Sequence, residues 1–271
     1  MQKNRIALIF ALLSNYFLQS QSYFQQEVNY TIQVKLDDQQ HTLSAFETIE
    51  YVNNSPDTLN FLYFHLWPNA YKNSKTALAK QLLESGDTKM QFAEEENLGF
   101  IDSLDFTSKE KKMKWAYDPK HIDICKLFLN EPLLPGQKTT ISTPFFVKIP
   151  VATISRLGHI GQAYMITQWY PKPAVYDKEG WHPIPYLDQG EFFSEFGSYD
   201  VEISLPDNYV IQATGNLIEG DKEYAWMRNK TIETETKINQ FKEGKFSPNM
   251  SFPESSLTLK TLKSTIENLF F

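Results

Sequence analysis

The chain has 271 residues, 41% of them hydrophobic and 14% aromatic, and a formal net charge of −7 at pH 7. That length allows one large domain or two modest ones, and a hydrophobic share this high with only 22% charged residues excludes a chain disordered throughout. The acidic balance and the absence of a dense Lys/Arg run argue against nucleic-acid binding, which needs a basic face against phosphate.

In chain order, Lys3 and Arg5 precede an unbroken apolar run over residues 6–13, and Ser20 and Ser22 then supply small residues for a cleavage site. This is the pattern of a secretory signal over residues 1–22, so a secreted or periplasmic protein is expected. The run is too short to span a bilayer, which takes ~20 residues, and no second apolar run follows, so no transmembrane segment is expected. Residues 30–36 alternate apolar and polar with period two, as a half-buried strand does. Residues 42–52 read as a second strand, closed by the turn residues Asn53, Asn54, Ser55, Pro56 and Asp57. Residues 59–66 are apolar at nearly every position, which suits a strand covered on both faces.

The character changes at residues 74–85, where Ser74 is placed to cap a short surface helix carrying Ala77, Leu78, Leu82 and Leu83, with Gly86 as its stop. Residues 87–99 read as loop. Strands are expected over 100–106, 114–117, 122–129 and 139–149, with Leu134-Pro135-Gly136-Gln137 as a type II turn. The lone cysteine, Cys125, lies in an apolar stretch and reads as a small buried hydrophobe; no internal disulfide is possible. Residues 150–190 are crowded with proline, glycine and aromatics, the composition of a long irregular segment, and such segments tend to be functional. Strand signal returns over 199–205 and 209–214. Residues 219–256 are polar, with turns near Gly244 and Pro248, and residues 257–266 fit a last strand or a short helix. The whole reads as an all-β protein: a large saddle-shaped β-sandwich or sheet domain with a short helical excursion.

Candidate chemistry is sparse. No two of the five histidines are three to five residues apart, and HExxH, a nucleophile elbow and phosphate or dinucleotide loops are all absent. No catalytic and no metal-ligating residue is assigned. Asp188, Glu191 and Glu195 are close in sequence, but a glycosidase pair must face each other across a sugar, and a solvated turn is the simpler reading. The Lys109, Lys111, Lys112 and Lys114 cluster reads as a solvated loop. The Asn29, Asn53, Asn229 and Asn249 sequons matter only in a eukaryotic secretory setting.

Three stretches together resemble a known family. One is Asn53 to Leu59 followed by Leu62-Tyr63-Phe64-His65-Leu66-Trp67-Pro68-Asn69-Ala70-Tyr71. Another is Thr167-Gln168-Trp169-Tyr170-Pro171-Lys172-Pro173-Ala174-Val175-Tyr176-Asp177 with Gly180-Trp181-His182-Pro183. The third is Gly190-Glu191-Phe192, Ser194-Glu195-Phe196-Gly197 and Tyr199-Asp200-Val201. They are similar to the N-terminal domain of aminopeptidase N-type zinc metallopeptidases, in the form common in secreted bacterial members, from about Tyr30 to about Asn268.

The resemblance implies a β domain that packs on a thermolysin-like catalytic domain. That second domain would carry the exopeptidase loop, HExxH and the zinc, so no cofactor is expected in these residues and zinc only in the catalytic domain. It also implies that Gln168 lines the pocket for the first side chain of a peptide substrate. Some members carry an acidic residue two positions later that binds the substrate amine; here that position is Tyr170, a second expected substrate contact. The expected organisation is a signal over 1–22, the β domain over 23–256, and the start of a linker to the catalytic domain over 257–271. Leu269-Phe270-Phe271 stands where the family continues with Val-His-Asp-Phe, the end expected of a truncated gene. The expected function is thus a non-catalytic, pocket-supporting domain of a zinc aminopeptidase, inactive alone; the alternative is a stand-alone secreted β-sandwich binding module.

Overall fold

The computed structural model describes residues 23–190, 192–240 and 253–269. The expected signal over 1–22, the turns near Gly244 and Pro248, and Phe270 and Phe271 lie outside the described residues. Seventeen strands and two α-helices are described, so the chain is β-rich as expected.

The strands are β1 (Glu27–Asp37), β2 (Thr42–Val52), β3 (Leu59–His65), β4 (Phe100–Asp102), β5 (Thr107–Ser108), β6 (Lys111–Lys112), β7 (Lys114–Tyr117), β8 (Ile124–Leu133) and β9 (Lys138–Lys148). Four short strands follow in the irregular segment as β10 (Gly158–Ile160), β11 (Ala163–Met165), β12 (Lys172–Pro173) and β13 (Val175–Asp177). The last are β14 (Gly180–His182), β15 (Gly197–Pro206), β16 (Asn216–Ile218) and β17 (Leu259–Leu269). The helices are α1 (Ala77–Glu84) and α2 (Asp221–Gln240).

A nine-stranded sheet runs β16-β17-β15-β1-β2-β9-β5-β6, with β4 also paired to β9. β1 and β2 pair antiparallel over eleven positions, and so do β2 and β9. β15 joins β1 in parallel and β17 joins β15 antiparallel. A four-stranded sheet, β12-β3-β8-β7, packs on its inner face. Period-two burial drives this pairing: Val28, Tyr30, Ile32, Val34 and Leu36 on β1 all point inward, as do Ile141, Phe145 and Val147 on β9. They meet Leu62, Phe64, Cys125 and Leu127 of the second sheet in one core, with Cys125 fully buried as expected. The turn after β8 closes as expected, with Gly136 at φ 74° and the Gln137 N–H donating to the Leu134 carbonyl at 3.0 Å.

Four expectations need correction. Thr76, not Ser74, caps α1, its hydroxyl accepting the Ala79 N–H at 3.2 Å. The helix is not a surface excursion: Leu78, Ala79 and Leu82 are buried in a second core with Trp67, Tyr71 and Tyr186. Residues 209–214 form no strand; the segment leaves the sheet, and β16 starts only at Asn216. The polar stretch after residue 219 contains the twenty-residue helix α2. Its start docks on the sheet through Glu223, which the Lys260 ammonium of β17 meets at 2.6 Å while lying 3.9 Å from the Trp226 ring centre. The final stretch, which fitted either a strand or a helix, is strand β17, part of the large sheet.

Candidate functional site

The segment between β11 and β12 carries Thr167, Gln168, Trp169 and Tyr170. It is anchored by the residues that follow Gln168. Lys172 and Pro173 pair with His65 and Phe64 of β3, and the Ala174 N–H donates to the Tyr63 carbonyl at 2.8 Å. Upstream, the Trp169 ring lies 5.8 Å from Phe145, on the inner face of the large sheet. Tyr170 packs edge-on against Tyr30 at 5.4 Å, and its hydroxyl donates to the Tyr199 hydroxyl at 3.1 Å. Burial, with Tyr199 close by, pushes the Tyr170 phenol well above its ordinary pKa, so it stays neutral.

Directly before these anchors Gln168 adopts a left-handed backbone, φ 52°. For a side chain other than glycine, or the Asn and Asp that tolerate it, that conformation is uncommon, and non-glycine residues held there cluster at functional sites. The Gln168 Oε1 and the neighbouring Thr167 Oγ1 are buried and, among the described residues, have no hydrogen-bond partner. Buried polar atoms ordinarily find partners, so two such atoms side by side in a strained segment mark it as unusual.

A second polar group lies beneath. Lys172 is 8% exposed; its ammonium donates to the Ser194 hydroxyl at 2.6 Å and sits 4.3 Å from the Trp67 ring centre. Burial lowers its pKa to about 8. Glu195, expected on a solvated turn, is instead buried: one carboxylate oxygen accepts the Tyr176 N–H at 2.9 Å, and burial raises its pKa to about 7 against the lowering effect of hydrogen bonds from Tyr176, Gln25 and Gln26. Asp188 accepts from the Ser155 hydroxyl at 2.8 Å. Glu191 lies outside the described residues.

The histidines scatter in sequence, yet two meet in space. The His41 and His159 rings stack 3.6 Å apart, and His41 Nδ1 shares a 2.7 Å hydrogen bond with the Tyr164 hydroxyl. Spacing could not reveal this, because the contact is made between the β1–β2 turn and the β10–β11 hairpin. His65 is buried against Trp67, and His182 Nε2 lies 2.8 Å from Asp177. Among the described residues no three His, Cys, Asp or Glu side chains converge as metal ligands. Of the four sequons, Asn53 is fully buried, its amide donating to the Asp57 and Leu133 carbonyls, and Asn249 lies outside the described residues. No helix among the described residues is long and apolar enough to cross a membrane.

No protein-family model matches the chain, and no curated protein matches it. Among solved structures, the chain is similar to an M1 zinc metallopeptidase from Deinococcus radiodurans, at 12% identity and a TM-score of 0.43 over 89% of this chain and 39% of that one. It is also similar to a mutant of a two-domain M1 zinc metallopeptidase bound to L-arginine, at 11% identity and a TM-score of 0.42, again over 89% and 39%. A mutant from Deinococcus radiodurans bound to a Tyr-Ser-Ala substrate matches at 11% identity and 0.42 over the same shares. The chain spans about two-fifths of the length of these structures.

Proposed function

We propose that this chain is the pocket-supporting, non-catalytic domain of a zinc-dependent aminopeptidase, contributing Gln168 to the site that receives the first residue of a peptide. The observation that carries the proposal is Gln168 itself. A strained residue, whose buried amide oxygen has no partner among the described residues, stands directly before the aromatic anchors Trp169 and Tyr170, in the stretch whose sequence resembles that of the peptidase family. Its carboxamide oxygen is an acceptor still to be satisfied, which a donor on a ligand would supply.

This reading takes no zinc site from the chain itself: the sequence has no HExxH, and among the described residues no three His, Cys, Asp or Glu side chains converge as metal ligands. In the proposed arrangement the metal and its ligands come from a thermolysin-like domain packed alongside, and Tyr170 lends an aromatic wall and a neutral hydroxyl in place of a carboxylate. The proposal also places the protein outside the cytoplasm, on the strength of Lys3, Arg5 and the apolar run over 6–13; N-terminal sequencing of the exported product checks it, with cleavage near Ser22 expected.

The test is zinc content and hydrolysis of aminoacyl 4-nitroanilides by the purified chain. The reading expects neither tightly bound zinc nor turnover. Stoichiometric zinc together with activity would overturn it.

A further inference from the structure

We propose that the cavity under residues 162–170 and 209–214 binds the hydrocarbon chain of a neutral single-chain amphiphile, a long-chain alcohol or a monoacylglycerol. The inference rests on the cavity alone; Gln168 does not line it.

Its floor is the inner face of β1 and β15, where the parallel register sets Ile32 beside Val201 and Val34 beside Ile203. Trp169 and Ile211 stand over that floor from the two segments that leave the sheets. The volume is about 870 Å³, within the span of small-molecule sites, ~300–1,000 Å³. The floor runs along β15 from Tyr199 to Leu205, a distance of about 20 Å at ~3.3 Å per residue, with Leu43 of β2 on one side and Ile266 of β17 on the other, so the space is an elongated trench that suits a linear chain.

The lining settles the polarity of the ligand. Aliphatic and aromatic residues dominate it, and none of its side chains is charged. A carboxylate or ammonium placed there would lose its water without gaining a counter-charge, which costs several kcal/mol. Neutral hydroxyls stand at both ends. Tyr170 and Tyr199 are at one. At the other, the Tyr209 hydroxyl donates to the Asp38 carboxylate at 2.7 Å, and the Tyr164 hydroxyl donates to the Asp38 carbonyl at 3.3 Å. The Asp38 carboxylate at that mouth repels an anionic head and leaves a hydroxyl head acceptable.

The test titrates the full chain with 1-alkanols of increasing length, below their solubility limits, by calorimetry and tryptophan fluorescence. One saturable site is expected. Its Kd should fall about three- to fourfold per methylene and then level off once the chain fills the trench. The alkanoate of equal length should bind at least tenfold more weakly. Ile203→Trp, which fills the trench, should abolish binding. Ile211→Glu, a change on a part-exposed roof residue that leaves the sheets untouched, should weaken it at least tenfold with an unchanged circular dichroism spectrum. Absence of saturable binding overturns the proposal. So does binding that ignores Ile211→Glu, or that grows with chain length without levelling, as on an open apolar patch. Equal affinity for the alkanoate overturns the neutral-head assignment.

Discussion

The Tyr170 hydroxyl donates to the Tyr199 hydroxyl at 3.1 Å, while Tyr30 stacks on Tyr199 at 4.6 Å and meets Tyr170 edge-on at 5.4 Å. Three tyrosines thus fasten the irregular Gln168 segment to the β1–β15 junction. Tyr199→Phe removes the acceptor and leaves a buried donor unpaired, a loss of about 1–3 kcal/mol. Tyr199→Phe with Tyr170→Phe removes both partners and should cost less than the sum of the two single changes. Urea unfolding of the four variants checks this; additive losses would show that the two hydroxyls are not coupled.

Glu47 stands in the core row of β2, between Ile32 on β1 and Thr143 on β9. The Thr143 hydroxyl already donates to the Pro144 carbonyl and accepts the Asp105 N–H, and both Glu47 oxygens are buried without a partner among the described residues. Burial raises the Glu47 pKa well above its ordinary value, and raises Glu195 to about 7. An acid raised in the fold binds its proton more tightly folded than unfolded. Stability is therefore greatest with respect to these groups below their unfolded pKa, about 4.3. It falls as pH rises from there through the folded pKa. Glu47→Met removes the unpaired carboxyl and should gain about 1–3 kcal/mol at pH 8, with a smaller gain at pH 5. An equal effect at both pH values would contradict the account.

The stacked His41 and His159 titrate in the opposite sense. Burial lowers both pKa values, and for His159 the neighbouring His41 lowers it further. Asp38 and Asp37 pull His41 the other way, and Gly161 supports His159 through its carbonyl. The stability these rings lend is present above their unfolded pKa, ~6.5, and is lost as pH falls through the lowered folded values. His159→Phe keeps an aromatic partner for His41 and removes one titrating group. Its Tm should fall less than the wild-type Tm between pH 7 and pH 5 in thermal scans.

The long strands were legible because their inward rows are written directly in the sequence: Tyr30, Ile32 and Val34 alternate with Thr31, Gln33 and Lys35. The turn at Gly136 was legible from local chemistry, since only that position needs a positive φ. Helix α2 was not, because it shows no continuous apolar stripe and is exposed along most of its length. Such helices carry no periodic signal, and the Thr231, Thr234 and Thr236 hydroxyls bond back to carbonyls four residues earlier rather than marking a cap. Residues 209–214 alternate like a strand, yet Tyr209 is drawn to Asp38 across the cavity. The burial of Glu195 and the His41–His159 stack arise from contacts between distant segments, which local pattern cannot encode. The left-handed turn at Gln168 gave no warning either, since its sequence neighbours carry no glycine or turn signal.

Gln168 gives the central claim its most direct test. The chain joined to a zinc-loaded thermolysin-like catalytic domain, with and without Gln168→Gly, is assayed on aminoacyl 4-nitroanilides. Glycine accepts the left-handed backbone, so the fold should be held or gain about 0.5–1 kcal/mol, while the loss of the carboxamide should raise KM about tenfold with kcat much less affected. An unchanged KM in a stably folded Gln168→Gly protein would contradict the claim that this domain supplies part of the substrate pocket.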